Sequence, residues 1–217
     1  MSDDLVPLIW EATKETLTMV GVAMLITIPL GIALGALLLL TGPRGALRQP
    51  LVNAVLGFVV NVGRSVPFII LLIAVIPLTR ALVGTTIGTT AAIVPLTLAT
   101  VPFFARIVES ALREVPAGLV EAAQAAGASD RQVVWKVLLP EALPALIAGA
   151  TITTIGVLGY SAMAGAVGGG GLGDVAIRYG YQRYETDVTI ATVVVLVVLV
   201  QAIQFLGDRL ARHLSHA

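Results

Sequence analysis

The sequence predicts an all-α integral membrane domain, and three observations predict it. The chain is 57% hydrophobic and only 12% charged, against about 25% charged residues in soluble domains, and its mean hydropathy is +0.96. Five mostly apolar runs approach the ~20 residues needed to cross ~30 Å of hydrocarbon. Lipid offers no partner to backbone N–H and C=O groups, so these runs must be helices. The polar residues gather instead in one island, EAAQAAGASDRQVVWKVLLP at 121–140.

The first span is expected from about Leu17 to Leu40, with small residues in a G-x-x-x-G pattern at Gly31 and Gly35. The second lies within Leu51–Leu78, where Arg64 interrupts the apolar run. Split there, each half is too short to span; unbroken, the helix overshoots the bilayer. The preferred reading is an interfacial lead-in over 51–63, Arg64 at the headgroups, and a crossing from Ser65 on, its entry kinked by Pro67. The third span is expected at about Gly88–Ala105, the fourth at Leu143–Val167 and the fifth at Val188–Leu206. Neither a long repeat nor a low-complexity linker divides the chain, which reads as one membrane domain over 1–217.

Five spans put the two termini on opposite sides, and the cytoplasmic side should carry the excess of Lys and Arg. With the N-terminus outside, the inner segments hold Arg44, Arg48, Arg64, Arg106, Arg113, Arg131, Lys136, Arg209 and Arg212. The outer segments hold Lys14, Arg80, Arg178 and Arg183. Nine against four predicts N-out and C-in, with the 121–140 island in the cytoplasm. The acidic start, MSDD, lacks the basic region of a signal peptide, so the first span is expected to be retained.

A formal net charge of zero leaves no basic footprint for nucleic acid. With no cysteine, disulfides and thiolate chemistry are excluded. His213 and His216 read as a frayed tail rather than metal ligands. No paired carboxylates, histidine base or metal-ligand spacing sits in the apolar runs, so the chain reads as a non-enzyme with neither a catalytic nor a metal site.

Within the island, Pro116 suits the first turn of a helix running to about Ala126. Gly127 is placed to end it in the left-handed conformation. Ser129 and Gln132 have capping-box spacing for a second helix, whose Val133, Val134, Val137 and Leu138 recur at helical spacing. Pro140 is expected to end that helix. The first helix is rich in alanine, and small side chains let a helix settle into a groove on another protein; Glu121 offers it a charge to meet. Two readings stand: a docking surface for a partner, or an ordinary loop covered by solvated helices.

Other signals are weaker. Gly168, Gly170 and Gly173 formally satisfy G-x-G-x-x-G, but a dinucleotide site needs a strand before it. An outer hairpin-like loop or gate element is the better account. A G-x-x-x-x-G-K-[ST] phosphate loop is absent, so energy from ATP would have to come from a partner. Gly84 and Gly88 repeat the small-residue spacing and read as a second close helix contact. Arg64 reads either as a functional intramembrane charge or as a snorkelling one. Tyr160, Ser161 and Met163 close the fourth span, where Tyr suits the interface and the small residues suit packing. Arg178, Arg183, Glu185 and Asp187 form a solvated outer loop or a contact for an external protein.

The island carries a resemblance. E-A-A-x-x-x-G at Glu121, Ala122, Ala123 and Gly127, followed by Leu139-Pro140, resembles the cytoplasmic loop of permease subunits of bacterial binding-protein-dependent ABC importers; Lys136–Pro144, KVLLPEALP, fits as well. Arg64–Ile70, Ala91–Thr97, Gly159–Gly168 and Gly169–Tyr181 resemble methionine importer permeases, and the likeness runs from the first span to Gly207-Asp208-Arg209.

The resemblance implies the type I importer permease fold in a multi-pass protein of the bacterial inner membrane, with the loop at about 116–140 carrying a coupling helix. Glu121, Ala122, Ala123, Gly127, Leu139 and Pro140 are then the ATPase-coupling residues. Tyr160, Ser161 and Met163, with Arg64 and Ser65, are expected to line or gate the path. The implied partners are a second copy of the chain, two cytoplasmic ATPase subunits holding ATP and Mg, an external methionine-binding protein, and membrane lipid. No cofactor is expected on this chain. The implied activity is ATP-driven uptake of methionine, in its L and D forms. The alternatives are another small amino acid or compatible solute on the same fold, and an ion-coupled secondary transporter, which would place carboxylates or broken helices at the midplane.

Overall fold

In a computed structural model, residues 2–43, 45 and 47–214 are described, with side chains from Leu5 on. Arg44 and His216, used above in the charge count and the tail, lie outside them, as do the side chains of the acidic start. The described residues are helical, with no strand among them. The elements are α1 (Ser2–Thr41), α2 (Pro50–Ser65), α3 (Phe68–Ala74), α4 (Ile76–Val83) and α5 (Thr89–Arg113). They continue with α6 (Ala117–Ala125), α7 (Asp130–Val133), a π turn over Val134–Leu138, and α8 (Leu139–Gly165). The chain then forms α9 (Gly171–Val175), a second π turn over Ala176–Tyr181, and α10 (Thr186–Leu214).

Among the described residues, four helical stretches are long and apolar enough to cross a membrane: Leu5–Thr41, Thr89–Arg113, Asp130–Gly165 and Thr186–Leu214. A fifth crossing exists if α2 and α3, broken at Val66-Pro67, count as one span. The break falls where Arg64 and Pro67 placed it, because proline disfavours helical geometry in the residue before it. The crossing expected from Ser65 on is not one helix. Phe68–Val83 forms two short helices that meet at Val75.

Several helices overrun their expected ends for a common reason. α1 starts some four turns before Leu17 because Leu5, Leu8, Ile9 and Ala12 make an apolar stripe with something to pack on. α5 continues past Ala105 because Val108, Ala111 and Leu112 extend its buried face. Gly84 and Gly88 do not form a helix contact. Gly84 (φ +78°) ends α4 and Gly88 (φ +91°) precedes α5, and neither has a neighbour that a Cβ would meet.

The chain divides into two compact units, each assembled from three separate stretches. The first comprises Met1–Thr27, Val66–Thr100 and Thr153–Phe205. Its core joins Ala12 on α1 to Leu172 and Val175 on α9 and Val188 on α10. The phenyl ring of Phe68 stacks on Tyr160, centroids 4.7 Å apart. The second comprises Ile28–Ser65, Val101–Ile152 and Leu206–Ala217. Its core gathers Phe104, Val108 and Leu112 of α5 with Val133, Val134, Leu138, Ala142 and Leu146.

Lipid tails are as apolar as leucine, so association between spans rests on close packing rather than on water. Gly31 and Gly35 serve this in the second unit: a Cβ on Gly35 would stand 2.6 Å from Val108 and 2.7 Å from the Ala105 carbonyl oxygen. Buried threonine hydroxyls, at Thr13, Thr41, Thr100, Thr151 and Thr192 among others, donate back to the carbonyl one turn earlier, which satisfies them without water.

Candidate functional site

The island folds as a short helix seated on the core of the second unit. α6 follows Pro116, which sits at the N-cap (ψ 127°) rather than in the first turn. Val120 and Ala123 face inward, packed against the core of Val108, Leu112, Val133 and Leu138. Leu119, Glu121, Ala122, Ala125 and Ala126 are exposed. α6 therefore rests on one side of itself and presents an alanine-rich side with one carboxylate. A 440 Å³ cleft beside it is lined by Glu121, Gln124, Arg113 and Leu138 among others.

The turn after α6 is built by its own hydrogen bonds. Gly127 takes φ +85°. Its N–H donates to Gln124 O at 2.9 Å, and Ala128 N–H donates to Ala123 O at 3.0 Å. This is the Schellman pattern, and the apolar contact that accompanies it is present, since Ala123 and Ala128 pack on one core. The capping box follows at once. Ser129 N–H donates to Gln132 Oε1 at 2.8 Å, and Gln132 N–H donates to Ser129 Oγ at 3.4 Å.

Pro140 does not end the second helix. Asp130–Gly165 runs as one helical stretch of 36 residues. An α-helical Pro140 would drive its ring into the carbonyl four residues back and leave that carbonyl without a donor. The π turn over Val134–Leu138 relieves this by widening the ladder, with Leu139 N–H donating to Val134 O. Pro140 is exposed, whereas Leu139 is half-buried against the core. Of the six island residues singled out, Glu121, Ala122, Ala123 and Gly127 share α6 and its terminal turn, while Leu139 and Pro140 open α8.

A polar cluster that sequence reasoning missed lies in the same unit. Glu109 is buried on α5. It accepts from Arg106 at 2.6 Å and from Arg113 at 2.5 Å. Arg106 also donates to Asn61 Oδ1 at 3.0 Å and Gly57 O at 3.3 Å, tying α5 to α2. The i, i+3 and i+4 spacing of 106, 109 and 113 was the available signal.

The candidate path residues divide between the units. Arg64 and Ser65 end α2 in the second: Arg64 lies exposed, 5.9 Å from the Phe103 ring, and Ser65 Oγ donates to Asn61 O at 2.7 Å. Tyr160, Ser161 and Met163 lie in the first. Tyr160 is half-buried under Phe68, Met163 is 50% exposed, and Ser161 is buried with its hydroxyl donating to Leu158 O.

The glycine-rich segment follows helix α8, not a strand, so it lacks the context of a dinucleotide site. Gly168, Gly170 and Gly171 take positive φ. Gly171 N–H donates to Glu15 Oε2 at 2.6 Å, and Leu172 N–H donates to Thr16 Oγ1 at 2.9 Å. At Gly173 a Cβ would be driven into the Ala162 backbone. Glycine here serves turning and close approach. Beyond it, Asp174 pairs with Arg178, whose Nε donates at 2.9 Å, and this carboxylate raises the Arg178 pKa above its ordinary value. Arg183 lies 4.5 Å over the Tyr179 ring. No group of three or more metal-ligating side chains occurs among the described residues.

Known proteins share this sequence and this fold. The family model described as "binding-protein-dependent transport system inner membrane component" matches residues 27–217. The probable D-methionine transport system permease protein MetI of Vibrio cholerae is 56% identical over 209 residues, covering 96% of this chain and 93% of that one. The methionine import system permease protein MetP of Bacillus subtilis is 45% identical over 200 residues, covering 92% and 90%. A solved structure of the MetNI methionine ABC transporter in inward-facing conformations superposes with a TM-score of 0.96 at 48% identity, over 99% of both chains. An amino acid ABC transporter shares the fold with a TM-score of 0.79 at 20% identity, over 98% of this chain and 96% of that one.

Proposed function

The chain belongs to the family of binding-protein-dependent transport system inner membrane components, and from that premise we propose that it is the permease subunit of an ATP-driven methionine importer. The near-complete likeness to methionine permeases supports the cargo. The observation that carries the coupling role is α6: it is fastened to its own core by Val120 and Ala123 and presents Glu121, Ala122, Ala125 and Ala126 outward.

In this reading two copies of the chain form the path, and two cytoplasmic ATPase subunits, which hold ATP and Mg, each receive one α6. An external binding protein delivers L- or D-methionine. The N-out, C-in arrangement puts α6 on the ATPase side. A displacement of α6 passes through the Gly127 turn and the Ser129–Gln132 box into the start of the Asp130–Gly165 helix, the helix on which the candidate path residues Tyr160, Ser161 and Met163 lie. The π turn supplies local give in that helix without breaking it. Arg64 and Ser65, at the end of α2, complete the candidate path residues. Chemistry stays on the partner; this chain binds, transmits and opens.

The test is ATP-dependent uptake of radiolabelled methionine in proteoliposomes containing the chain, its ATPase and its binding protein, with Gly127→Pro in parallel. Uptake by the wild type, lost in a variant that still assembles, supports both cargo and coupling. ATP turnover without methionine uptake overturns the cargo and leaves another small amino acid or compatible solute. Uptake that survives removal of ATP and collapses with an ion gradient overturns the ATP-driven reading.

A further inference from the structure

An apolar groove in the second unit adjoins the coupling segment, sharing Leu139 with it, but the coupling reading assigns the groove no occupant. It holds about 550 Å³ between the last turns of α1 and the π turn with the start of α8. Pro29, Ala33 and Leu37 form one wall, and Val134 and Leu139 the other. The α1 wall belongs to the stretch Leu5–Thr41, which is long and apolar enough to cross a membrane, so this wall suits hydrocarbon. Its far end changes character: Arg131, Trp135 and Asp130 line it. Trp135 is 63% exposed, and Arg131 is exposed with no salt bridge among the described residues. Asp130 is half-buried in the first turn of α7, so Arg131 is the exposed charge at this end of the groove.

An apolar trough ending in an indole and a cation matches an amphiphile with a hydrocarbon tail and an anionic head. Indole rings settle at the level of lipid headgroups, and basic pockets between spans on the cytoplasmic side suit anionic headgroups. A peptide would bring backbone groups along its whole length, and the two apolar walls offer nothing to satisfy them. We propose that the groove holds one acyl chain of an anionic glycerophospholipid, with its phosphate at Arg131 and its glycerol region beside Trp135. The lipid then sits against the π turn and braces the entry to α8.

The experiment reconstitutes the assembled permease–ATPase complex in equimolar phosphatidylglycerol and phosphatidylcholine, repurifies it in mild detergent and measures retained lipid per chain by native mass spectrometry. The wild type should retain phosphatidylglycerol several-fold over phosphatidylcholine. Arg131→Gln should abolish the preference while lipid is still retained. Ala33→Trp, at an exposed position whose new side chain fills the trough, should remove the retained lipid. A photo-crosslinking residue at position 37 should label lipid, a readout that stands even if Ala33→Trp fails to assemble. Equal retention of the two lipids by the wild type, unchanged retention in Ala33→Trp, or crosslinks from position 37 to a protein chain would each overturn the proposal.

Discussion

Glu109 and Arg106, one turn apart on α5, pair at 2.6 Å, and through Arg106 the pair reaches Asn61 on α2. The carboxylate is buried while both arginines keep access to solvent. Removing it leaves two cations without their shared partner; removing Asn61 loses one neutral acceptor. Glu109→Ala should cost about 2 kcal/mol, Glu109→Gln less, and Asn61→Ala under about 1 kcal/mol. Thermal unfolding of the assembled complex in detergent checks the order; an Asn61→Ala loss equal to that of Glu109→Ala would contradict it.

Gly127 separates space from strain. A Cβ there meets nothing within 4 Å, yet φ is +85°. Gly127→Ala should therefore cost only the left-handed penalty, about 1–2 kcal/mol, and leave the complex assembled with slower uptake. Gly127→Pro cannot adopt that φ and also loses the N–H to Gln124 O, so its uptake should vanish. Uptake rates of the two variants, normalised to complex recovered, decide it.

The capping box predicts non-additivity. Ser129→Ala should lower stability by about 1 kcal/mol. Because Ser129 and Gln132 satisfy each other, Gln132→Ala in that background should add little. Melting of the two single variants and the double variant measures the coupling, and fully additive losses would show that the box is not a unit.

The Phe68–Tyr160 stack should carry a coupling energy of about 1 kcal/mol in a double-mutant cycle with leucine at each position. Tyr160→Phe keeps the ring and should leave both melting and uptake near wild type. A large loss in Tyr160→Phe would instead assign the hydroxyl a direct part in transport.

Local physics was legible in the sequence wherever a residue answers to its neighbours. Apolar length announced the spans, and proline after Val66 placed the break between α2 and α3. Glycine at 127 marked a helix end, and Ser129 with Gln132 spelled a cap. The last three depend on φ, ψ or a hydrogen bond within five residues. Four of the six residues proposed for coupling, Glu121, Ala122, Ala123 and Gly127, lie on one short helix and its turn. Pro140 was misjudged because a π turn begun six residues earlier absorbs it. Gly84 and Gly88 were misjudged because one spacing serves a helix contact and a turn alike.

The sequence by itself determined that the chain is helical, suited to lipid and interrupted by one polar island, since hydrophobic length and terminal hydrogen bonding are properties of short segments. Only the tertiary structure decided where the helices stop, which face of α6 is buried, that Glu109 is shared by two arginines, and that Gly171 N–H finds Glu15. Those outcomes depend on which apolar stripe another helix is present to cover, and on partners up to 156 residues away. In lipid, where burial alone discriminates weakly between apolar surfaces, close packing makes that choice.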